Sequence, residues 1–472
     1  MKHSCLLLLA ALLLTLESAC GESFEPAGAS RYAERFASNP REVSNIGDPF
    51  ILSDGDVYHM YATGAQVGFF HWISPDLQTF ERDKAMKKSS WVFGDYWAPE
   101  VYPWHGRYAM LYTGRWKQNH SLRIGIAFSD SPEGPFEDPL KAPLFDFGYA
   151  AIDGTLTVDD EGVPYLIYSR DCSENRVDGR HESHLYGVRL SDDLMRVVGE
   201  PVLLTTPEDA WEIISGDYRW NEGPAVLRHD GRYYLFYSAN YFASADYSVG
   251  VAVADAPLGP YVKQANNPIL APVKNEAGDI LVSGPGHNAF FTVGDERFAA
   301  YHAHTDPANP SGDRQVYVNR AGFHGDGTAY INGPTLAPQL RPLAELGLVN
   351  LTQSAACAGD PAGLLTDGDI CQSSASEEYV WQGSEARMTW ETPVTADMLL
   401  LWPARGERAS GTVTLDGVEY PFDFAPALAG EAAALSLEPT RVSALDIRLD
   451  AGRLGEIMLV GPAPKETPYE EE

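Results

Sequence analysis

Hydrophobic and polar residues alternate along short segments of this chain, and one such pattern occurs five times. In each copy a polar turn leads into an apolar strand, a second turn and a strand rich in Tyr and Phe. These second strands are VYHMYATG, RYAMLYTG, PYLIYSR, RYYLFYSA and RFAAYHAH. Alternation with a period of two, bounded by Gly, Asp and Pro, predicts half-buried β-strands. Repeated strand units of this length are typical of a β-propeller, so we predict an all-β fold with five blades over residues 42–335.

The turns that open the five copies differ in their chemistry. They carry, in order, Asp48, Glu100, Asp153, Glu222 and His287, each close to a Gly or a Pro. Pro restricts the residue before it to extended conformations, which gives that side chain a consistent direction. Equivalent positions of all blades surround one axis. We therefore expect these five residues to share one position and to face one another around the axis.

The repeat ends near residue 336, and the composition changes there. Residues 336–345 are predicted to be a linker. Residues 346–463 contain more Ala, Leu and Thr, in short segments such as RMTWETP and RVSALDIRLD. Short strands separated by turns predict a β-sandwich of the jelly-roll kind for this region. The last residues, 464–472, are predicted to be disordered.

The N-terminus has the pattern of an export signal. Lys2 precedes the apolar run LLLLAALLLTL, which is too short to span a bilayer but suits a signal peptide over residues 1–19. Small residues before Cys20 resemble a bacterial lipobox, although Glu17 stands where an aliphatic residue is usual. We predict export, with residues 20–41 as a flexible tether. The product is either a periplasmic or cell-surface lipoprotein, attached to the membrane through Cys20, or a secreted protein.

The net charge of the chain is −32 over 472 residues. Nucleic acids and anionic membrane surfaces bind clusters of Lys and Arg, so this charge argues against both as partners. It suits a soluble protein whose ligands are neutral or cationic. Two of the five cysteines, Cys357 and Cys371, lie close enough in sequence to form a disulfide, and two free thiols are the alternative.

Three carboxylates among the opening residues point to acid–base chemistry. Hydrolysis of a glycosidic bond with inversion needs one carboxylate to activate water and one carboxylic acid to protonate the leaving oxygen, about 6.5–9.5 Å apart. A third carboxylate raises the pKa of the acid by repulsion. Asp48, Asp153 and Glu222 could supply these groups, although each alone has the context of a turn residue. Glu100 also opens a blade, and we expect it to orient substrate or to be structural.

Residues 42–335 resemble glycoside hydrolase family 43, whose members are five-bladed propellers that act with inversion on polysaccharides containing arabinose and xylose. The resemblance rests on five phrases in order at blade spacing: GDPF at 47–50, WAPEVY at 97–102, AIDGTLTVDDEGVPYLIY at 151–168, NEGPAVL at 221–227 and GPGHNAF at 284–290. It implies that Asp48 is the general base and Glu222 the general acid. Asp153 would be the third carboxylate, which tunes the acid and orients the sugar.

The same resemblance implies roles for other residues. His287 matches a histidine that, in several members, helps to hold a calcium ion on the axis through water. Trp97 would form an aromatic wall for the sugar, and Arg314 would bond substrate hydroxyls. Core packing is the alternative for His287 and Trp97, and a surface ion pair is the alternative for Arg314. His302 and His304 alternate along one strand, which favours a half-buried strand face over a metal pair.

Residues 346–463 resemble a galactose-binding-like, discoidin-type sandwich. The resemblance rests on NLTQSAACAGDPAGLLTDGD followed by WQGSEARMTWETPVTADMLLLWPA. It implies either carbohydrate binding or a structural brace against the propeller. Trp381, Trp390 and Trp402 would stack on sugars in the first case and belong to the core in the second.

Together these observations predict a glycosidase with a neutral polysaccharide or oligosaccharide substrate. The first expectation is an exo-acting α-L-arabinofuranosidase. The alternatives are a β-xylosidase, an endo-arabinanase, an exo-galactanase, or a glycan-binding surface protein that has lost catalysis. The residues do not separate arabinose from xylose, because that choice depends on the shape of the pocket. Relatives that cut within chains usually carry Ser-His where this chain has GPGH, which favours exo action.

Overall fold

The computed structural model describes residues 22–55, 57–64, 67–86, 88–370 and 377–463. Strands and turns dominate, which confirms the all-β prediction. The predicted signal peptide, Cys20, Cys371 and the tail from residue 464 lie outside the described residues. None of the described helices is long and apolar enough to cross a membrane. They are six 3₁₀ turns at Ala27–Ala29, Ala33–Arg35, Ala210–Glu212, Thr352–Ser354, Glu377–Tyr379 and Ala404–Gly406.

Five sheets follow one another along the chain and form the blades of a propeller. Strands β1 (Phe24–Pro26) and β2 (Phe36–Ala37) precede them. Blade 1 contains β3 (Gly47–Asp54), β4 (Val57–Thr63), β5 (Phe69–Ser74) and β6 (Glu81–Met86), and blade 2 contains β7 (Val92–Trp104), β8 (Arg107–Trp116) and β9 (Leu122–Ser129). In blade 2 an isolated bridge joins Phe128 of β9 to Glu137, which lies outside the named strands.

The remaining blades repeat the antiparallel order of blade 1. Blade 3 contains β10 (Ala151–Val158) and β11 (Pro164–Arg170), the rim strands β12 (Arg176–Val177) and β13 (Arg180–Glu182), then β14 (His184–Leu190) and β15 (Val197–Thr205). After the rim strand β16 (Tyr218–Arg219), blade 4 contains β17 (Asn221–His229), β18 (Arg232–Ala239), β19 (Ser248–Ala254) and β20 (Val262–Lys263). The pair β21 (Val273–Lys274) and β22 (Ile280–Val282) leads to blade 5, with β23 (Gly286–Val293), β24 (Glu296–His304), β25 (Arg314–Phe323) and β26 (Ala329–Ile331).

The inner strands β3, β7, β10, β17 and β23 surround the axis. Residues from all five line one axial cavity of about 230 Å³. The ring closes where the segment before β3 runs along β25, with the amide of Ile46 donating to the carbonyl of Arg314 and a bridge between Ser44 and Gln315. The first and last blades also share a hydrophobic cluster that includes Met60 and Val316. These contacts hold the two ends of the repeat together, so the five-bladed propeller is confirmed.

Every inner strand begins with the same irregularity. The register between the first and second strands of each blade shifts after its first pairs, which is the pattern of a β-bulge. At this bulge one residue of each blade has a positive φ: Asp48 (54°), Ala98 (44°), Asp153 (56°), Gly223 (53°) and His287 (52°). A left-handed backbone costs a residue other than Gly about 1–2 kcal/mol. Four of the five blades carry this strain at the same place, next to the axis.

Hydrogen bonds between blades hold these bulges in place. The bulge N–H of one blade donates to a side chain on the second strand of the blade before it, in the pairs Ala98 to Thr63 Oγ1 (2.8 Å), Asp153 to Thr113 Oγ1 (3.0 Å), His287 to Ser238 Oγ (2.8 Å) and Asp48 to His302 Nδ1 (3.1 Å). At the fifth junction Ser169 Oγ instead donates to the carbonyl of Asn221. That change frees the N–H of Gly223 to donate to Asp153 Oδ2 at 3.1 Å.

The C-terminal region is a β-sandwich. After β27 (Gln339–Leu340) it contains β28 (Leu348–Asn350), β29 (Ala356–Ala358), β30 (Glu385–Pro403), β31 (Ala409–Leu415), β32 (Val418–Phe424), β33 (Ala433–Ala451) and β34 (Leu454–Pro462). The main path pairs in the order β28, β34, β30, β33, β31, β32, and β29 joins β30. Trp381, Trp390 and Trp402 are all buried. They therefore belong to the core, and the alternative of sugar stacking by these three rings is wrong.

The segment before the propeller differs from the expected tether in its described part. Strand β1 pairs with β33 of the sandwich, and β2 pairs with β27, within the predicted linker. Both terminal nitrogens of Arg35 donate to the Asp397 carboxylate at 3.0 Å, with both side chains largely buried. A bidentate pair that is shielded from water is stronger than an exposed one. This segment therefore ties the two domains together.

Candidate active site

The bulges place three of the predicted residues at one equivalent position. Asp48, Asp153 and His287 each occupy the positive-φ site of their blade. Glu222 comes one residue before that site, and Glu100 comes two residues after it. The prediction that all five opening residues share one position is therefore wrong for these two. A bulge adds one residue to one strand, so spacing in the sequence does not fix which residue points to the axis.

Asp48 is surrounded by cationic and polar groups. Its Oδ1 lies 3.0 Å from Nη1 of Arg314 and 3.3 Å from Nδ1 of His287, and Thr63 Oγ1 donates to Oδ2 at 2.6 Å. Burial alone would raise the pKa of this carboxyl, but the charges of His287 and Arg314 outweigh burial and hold the pKa well below its usual range. Asp48 is therefore an ionised acceptor, as the activation of water requires.

Close packing holds Arg314 in that position. A Cβ added at Gly47 would lie 2.1 Å from the Arg314 guanidinium carbon, so only Gly leaves room for it. The other face of the guanidinium lies 4.8 Å from the ring centroid of Phe242. Arg314 is thus fixed between the backbone of blade 1 and an aromatic ring, with its charge directed at Asp48.

Glu222 lies in the opposite electrostatic environment. It is buried, and its Oε1 accepts a hydrogen bond of 3.0 Å from Tyr247 Oη. Burial is the main cause that raises the pKa of Glu222 well above its usual range, and repulsion from Asp153 raises it further. A carboxyl in this state carries a proton near neutral pH and can donate it to a leaving oxygen.

Asp153 lies between these two groups. Its Oδ2 accepts the backbone N–H of Gly223, the residue after Glu222. Burial raises the pKa of Asp153 to about 6, the charge of His287 opposes this change, and Asp48 adds to it. The structure thus brings Asp48, Asp153 and Glu222 together at one end of the axis.

Comparisons with known proteins agree with this geometry. Residues 38–329 match the model of the family described as glycosyl hydrolases family 43. A solved structure of a thermostable family-43 glycoside hydrolase is 43% identical, covers 65% of this chain and 98% of its own, and superposes with a TM-score of 0.61.

The chain belongs to glycosyl hydrolases family 43.

Two curated relatives match parts of this chain. The β-D-galactofuranosidase xynD of Aspergillus niger is 31% identical over 185 residues, which cover 38% of this chain and 46% of the relative. An extracellular exo-α-(1→5)-L-arabinofuranosidase of Streptomyces chartreusis is 27% identical over 219 residues, which cover 44% of this chain and 62% of the relative. The chain thus spans about half the length of the first of these relatives and somewhat more of the second.

The other predicted residues of this family 43 site lie around the three carboxylates. Trp97 stands at the position equivalent to Glu222 and packs against Leu122, Ala150 and Ile152. Glu100 lines the axial cavity and accepts a hydrogen bond from the Tyr102 hydroxyl.

Burial raises the pKa of Glu100 to about 7, against the hydrogen bond from Tyr102. The Glu100 side chain thus lines the axial cavity, two residues after the bulge position of its blade, and is close enough to Asp153 to feel its charge. Its predicted role in orienting substrate stays a prediction, as does the role of Trp97 as a wall.

The calcium ion implied at His287 needs oxygen ligands, which Ca²⁺ takes in sets of six to eight. Among the described residues no group of three or more His, Cys, Asp or Glu side chains is arranged to hold a metal. His287 itself faces Asp48 through Nδ1. The side chains present therefore do not fit a calcium ion that the protein ligates directly. An ion held through water stays a prediction, and no chemical step below depends on it.

Sequence reasoning missed the role of His302. It is fully buried, accepts the N–H of Asp48 and stacks parallel to Tyr247 with ring centroids 5.6 Å apart. Burial is the main cause that lowers its pKa to about 3, so the ring is neutral. The repeats did carry a signal: the equivalent residue of the second strand is Thr63, Thr113, Ser169 or Ser238 in the other blades, and only blade 5 has a histidine there. His304 bonds Ser283 and the carbonyl of Phe242.

Proposed function

We propose that this protein is an inverting glycoside hydrolase that removes terminal arabinose residues from plant-type polysaccharides or oligosaccharides, as an α-L-arabinofuranosidase. The observation that carries the proposal is the contrast between Asp48 and Glu222. One buried site holds a carboxylate whose pKa is lowered and a carboxylic acid whose pKa is raised. Both curated relatives are named for furanoside substrates, which supports a five-membered sugar ring.

The proposed reaction uses the two groups in one step. Asp48 accepts a proton from a water molecule whose oxygen attacks the anomeric carbon. The bond from that carbon to the leaving oxygen breaks, and the proton of Glu222 passes to the leaving oxygen. Arg314 and Asp153 hold the two groups in their opposite states and offer polar contacts to the sugar hydroxyls. Asp48 then releases its proton to solvent, and Glu222 takes one up from solvent, which restores both groups.

The test is hydrolysis of nitrophenyl α-L-arabinofuranoside beside the β-xyloside and the β-galactoside. We expect the arabinofuranoside to be cleaved fastest, with Glu222→Gln as the inactive control on oligosaccharides. Proton NMR of the first product should show the anomer of opposite configuration. Faster release of xylose would make the enzyme a β-xylosidase, and cleavage only within arabinan would make it an endo-arabinanase. No cleavage, with retention on a polysaccharide gel, would favour a glycan-binding protein.

We propose export, with lipidation at Cys20 as its anchored form. The extracellular name of the Streptomyces relative is compatible with export. Mass spectrometry of the mature protein tests whether Cys20 carries a lipid.

For the sandwich domain we propose the role of a brace. Its loops accept hydrogen bonds from the last blade, from Tyr330 Oη to the carbonyl of Asp367 and from Asn332 to the carbonyl of Gly368.

A further inference from the structure

A row of aromatic rings lies on the rim between blades 3 and 4. We call it the aromatic ridge, and it consists of His181, Tyr218, Trp220, Tyr241 and Phe242. Successive ring centroids are 4.5, 6.0, 5.5 and 4.9 Å apart in that order. The rings come from three separate segments: strand β13, the end of the connection between blades 3 and 4, and the loop after β18. Chain connectivity alone therefore does not explain why they form one continuous row.

The inner end of the ridge reaches the catalytic groups. Phe242 carries the guanidinium of Arg314 on its face, and that guanidinium bonds Asp48. The carbonyl of Phe242 is held by Nε2 of the buried His304 at 2.9 Å. Trp220 is two residues before Glu222. The ridge therefore meets the site at two points: Phe242 contacts Arg314, and Trp220 is close in sequence to Glu222, the predicted acid.

The outer part of the ridge is open to solvent. Tyr218 is 47% exposed and Tyr241 is 44% exposed, so two large rings of one continuous row face solvent. The cationic groups beside them are already paired, since Arg180 and Arg219 lie 2.8 and 3.7 Å from the same Glu182 oxygen. Asp217 and Asp246, next to the ridge in sequence, are exposed acids. The surroundings therefore disfavour an anionic ligand and suit a neutral one.

We infer that the aromatic ridge binds successive sugar rings of a neutral polysaccharide on the leaving-group side of the cleaved bond. Tyr218 stacks on its neighbouring rings of the ridge, and the exposed parts of Tyr218 and Tyr241 present apolar ring carbons beside a hydroxyl. Sugar rings match this pattern with C–H groups on their faces and hydroxyls on their rims. The leaving group extends past the residue that protonates it, and Trp220 stands beside that residue. The inference rests on the proposed function. It adds that the natural substrate is a terminal sugar attached to a chain of several units.

The consequence is a preference for length. Contacts far from the reacting bond can be used to lower the barrier, so longer leaving groups react with a higher kcat/KM. We expect kcat/KM to rise about tenfold from a disaccharide to a tetrasaccharide with the same terminal arabinose, in line with a few ring contacts. Nothing of this kind is expected for an enzyme that holds only the terminal sugar.

The experiment compares Tyr218→Ala/Tyr241→Ala with the unchanged protein on linear arabino-oligosaccharides of two to five units. The readout is the ratio of kcat/KM between long and short substrates, which a general loss of folded enzyme does not change. The double variant should lose most of the tenfold rise, whereas Tyr218→Phe/Tyr241→Phe should keep it because the ring faces remain. Trp104→Ala is the matched control, since Trp104 ends strand β7 at the hairpin far from Asp48, and it should keep the rise. An unchanged ratio in the alanine variant would overturn the inference.

A binding measurement separates this inference from the proposed function. Native electrophoresis in gels that contain arabinoxylan or linear arabinan detects retention without any cleavage. If the protein cleaves nothing but is retained, and the alanine variant is not, the proposed function fails and the ridge stands. If the protein cleaves oligosaccharides with equal ratios in both forms, the ridge fails and the function stands. If there is neither cleavage nor retention, both fail.

Discussion

Among the described residues, the buried acids around Asp48 and those around His324 each include a histidine, and the two clusters are built in opposite ways. In the active site Asp48 is held by the side chains of Arg314, His287 and Thr63. At the contact between propeller and sandwich, His324 of blade 5 inserts between two acids of the sandwich. Its Nδ1 lies 2.9 Å from Asp367 and its Nε2 3.6 Å from Asp369.

Backbone groups complete the second cluster. The N–H of Asp369 donates to Asp367, and the N–H of Gly368 donates to the buried Glu456. Burial and the neighbouring acids raise the pKa of Glu456 well above its usual range. Glu456 therefore resembles Glu222 in the direction of its pKa shift. Burial by itself makes a protonated acid, and only the added cation beside a second acid makes an acid–base pair.

The largest effect is expected from Glu222→Gln, compared with Glu456→Gln in the other cluster. The first change removes the proposed proton donor, so kcat/KM on oligosaccharides should fall by about 10³-fold, with a smaller fall on nitrophenyl substrates that need little protonation. The second change should leave kcat/KM within about twofold, because Glu456 is distant from the chemistry. Steady-state kinetics on both substrates measures this. Equal losses of kcat/KM in the two variants would contradict the predicted difference between Glu222 and Glu456.

The same pair has a stability signature. A buried acid with a raised folded pKa destabilises the fold increasingly as pH rises from the ordinary value of 4.5 towards the folded pKa, because only the unfolded chain ionises freely. Glu222→Gln removes this cost. We expect its melting temperature to exceed that of the unchanged protein above pH 4.5 and to match it below, as scanning calorimetry across pH will show.

The next effect concerns Arg314, which holds Asp48 ionised. In Arg314→Met the pKa of Asp48 should rise, because one of the two cations that lower it is lost, so the acid limb of the kcat/KM profile moves to higher pH. Acid unfolding should also begin at higher pH, since a carboxyl with a lowered pKa stabilises the fold only above that pKa. Arg314→Lys keeps a cation and should recover part of the shift. An acid limb that stays in place would show that Arg314 does not set this pKa.

A smaller effect is expected from a change in the packing around Arg314. In Gly47→Ala the new Cβ would overlap the Arg314 guanidinium, so we expect kcat/KM to fall by about 10–100-fold as the charge moves away from Asp48. Gly325→Ala is the control, because nothing lies within 4 Å of the added carbon there. Equal activity of the two variants would mean that the Arg314 guanidinium still contacts Asp48 when residue 47 has a Cβ.

The smallest effect on activity is expected in the interface cluster. His324→Ala leaves Asp367 and Asp369 without their shared ring, and the free energy of unfolding should fall by about 1–3 kcal/mol. His105→Ala removes an exposed contact to Asp192 and should change it by less than about 1 kcal/mol. Urea unfolding measures both, while kcat/KM at 25 °C should stay the same. A large loss of activity in His324→Ala would mean that the interface influences the site.

Local patterns in the sequence were enough to predict the repeat, the class of fold and the types of residue at the axis. Alternation with a period of two, turn residues and the order of the five phrases are local features, so they identified the blades and pointed to Asp48, Asp153 and Glu222. The same local information suggested a tether before the propeller. The structure corrected that, because the partners of residues 24–37 lie hundreds of residues away, in the sandwich and in the predicted linker.

The surroundings of these residues depend on contacts between distant parts of the chain. The bulges set Glu222 one residue out of phase with Asp48, and pairing between strands, not spacing, fixes that offset. The lowered pKa of Asp48 depends on His287 and Arg314, and the raised pKa of Glu222 depends on burial and on Asp153, all of which come from other parts of the chain. The aromatic ridge likewise joins rings that the sequence scatters over sixty residues. Local patterns specify strands and turns, whereas charge, burial and stacking depend on neighbours that only folding brings together.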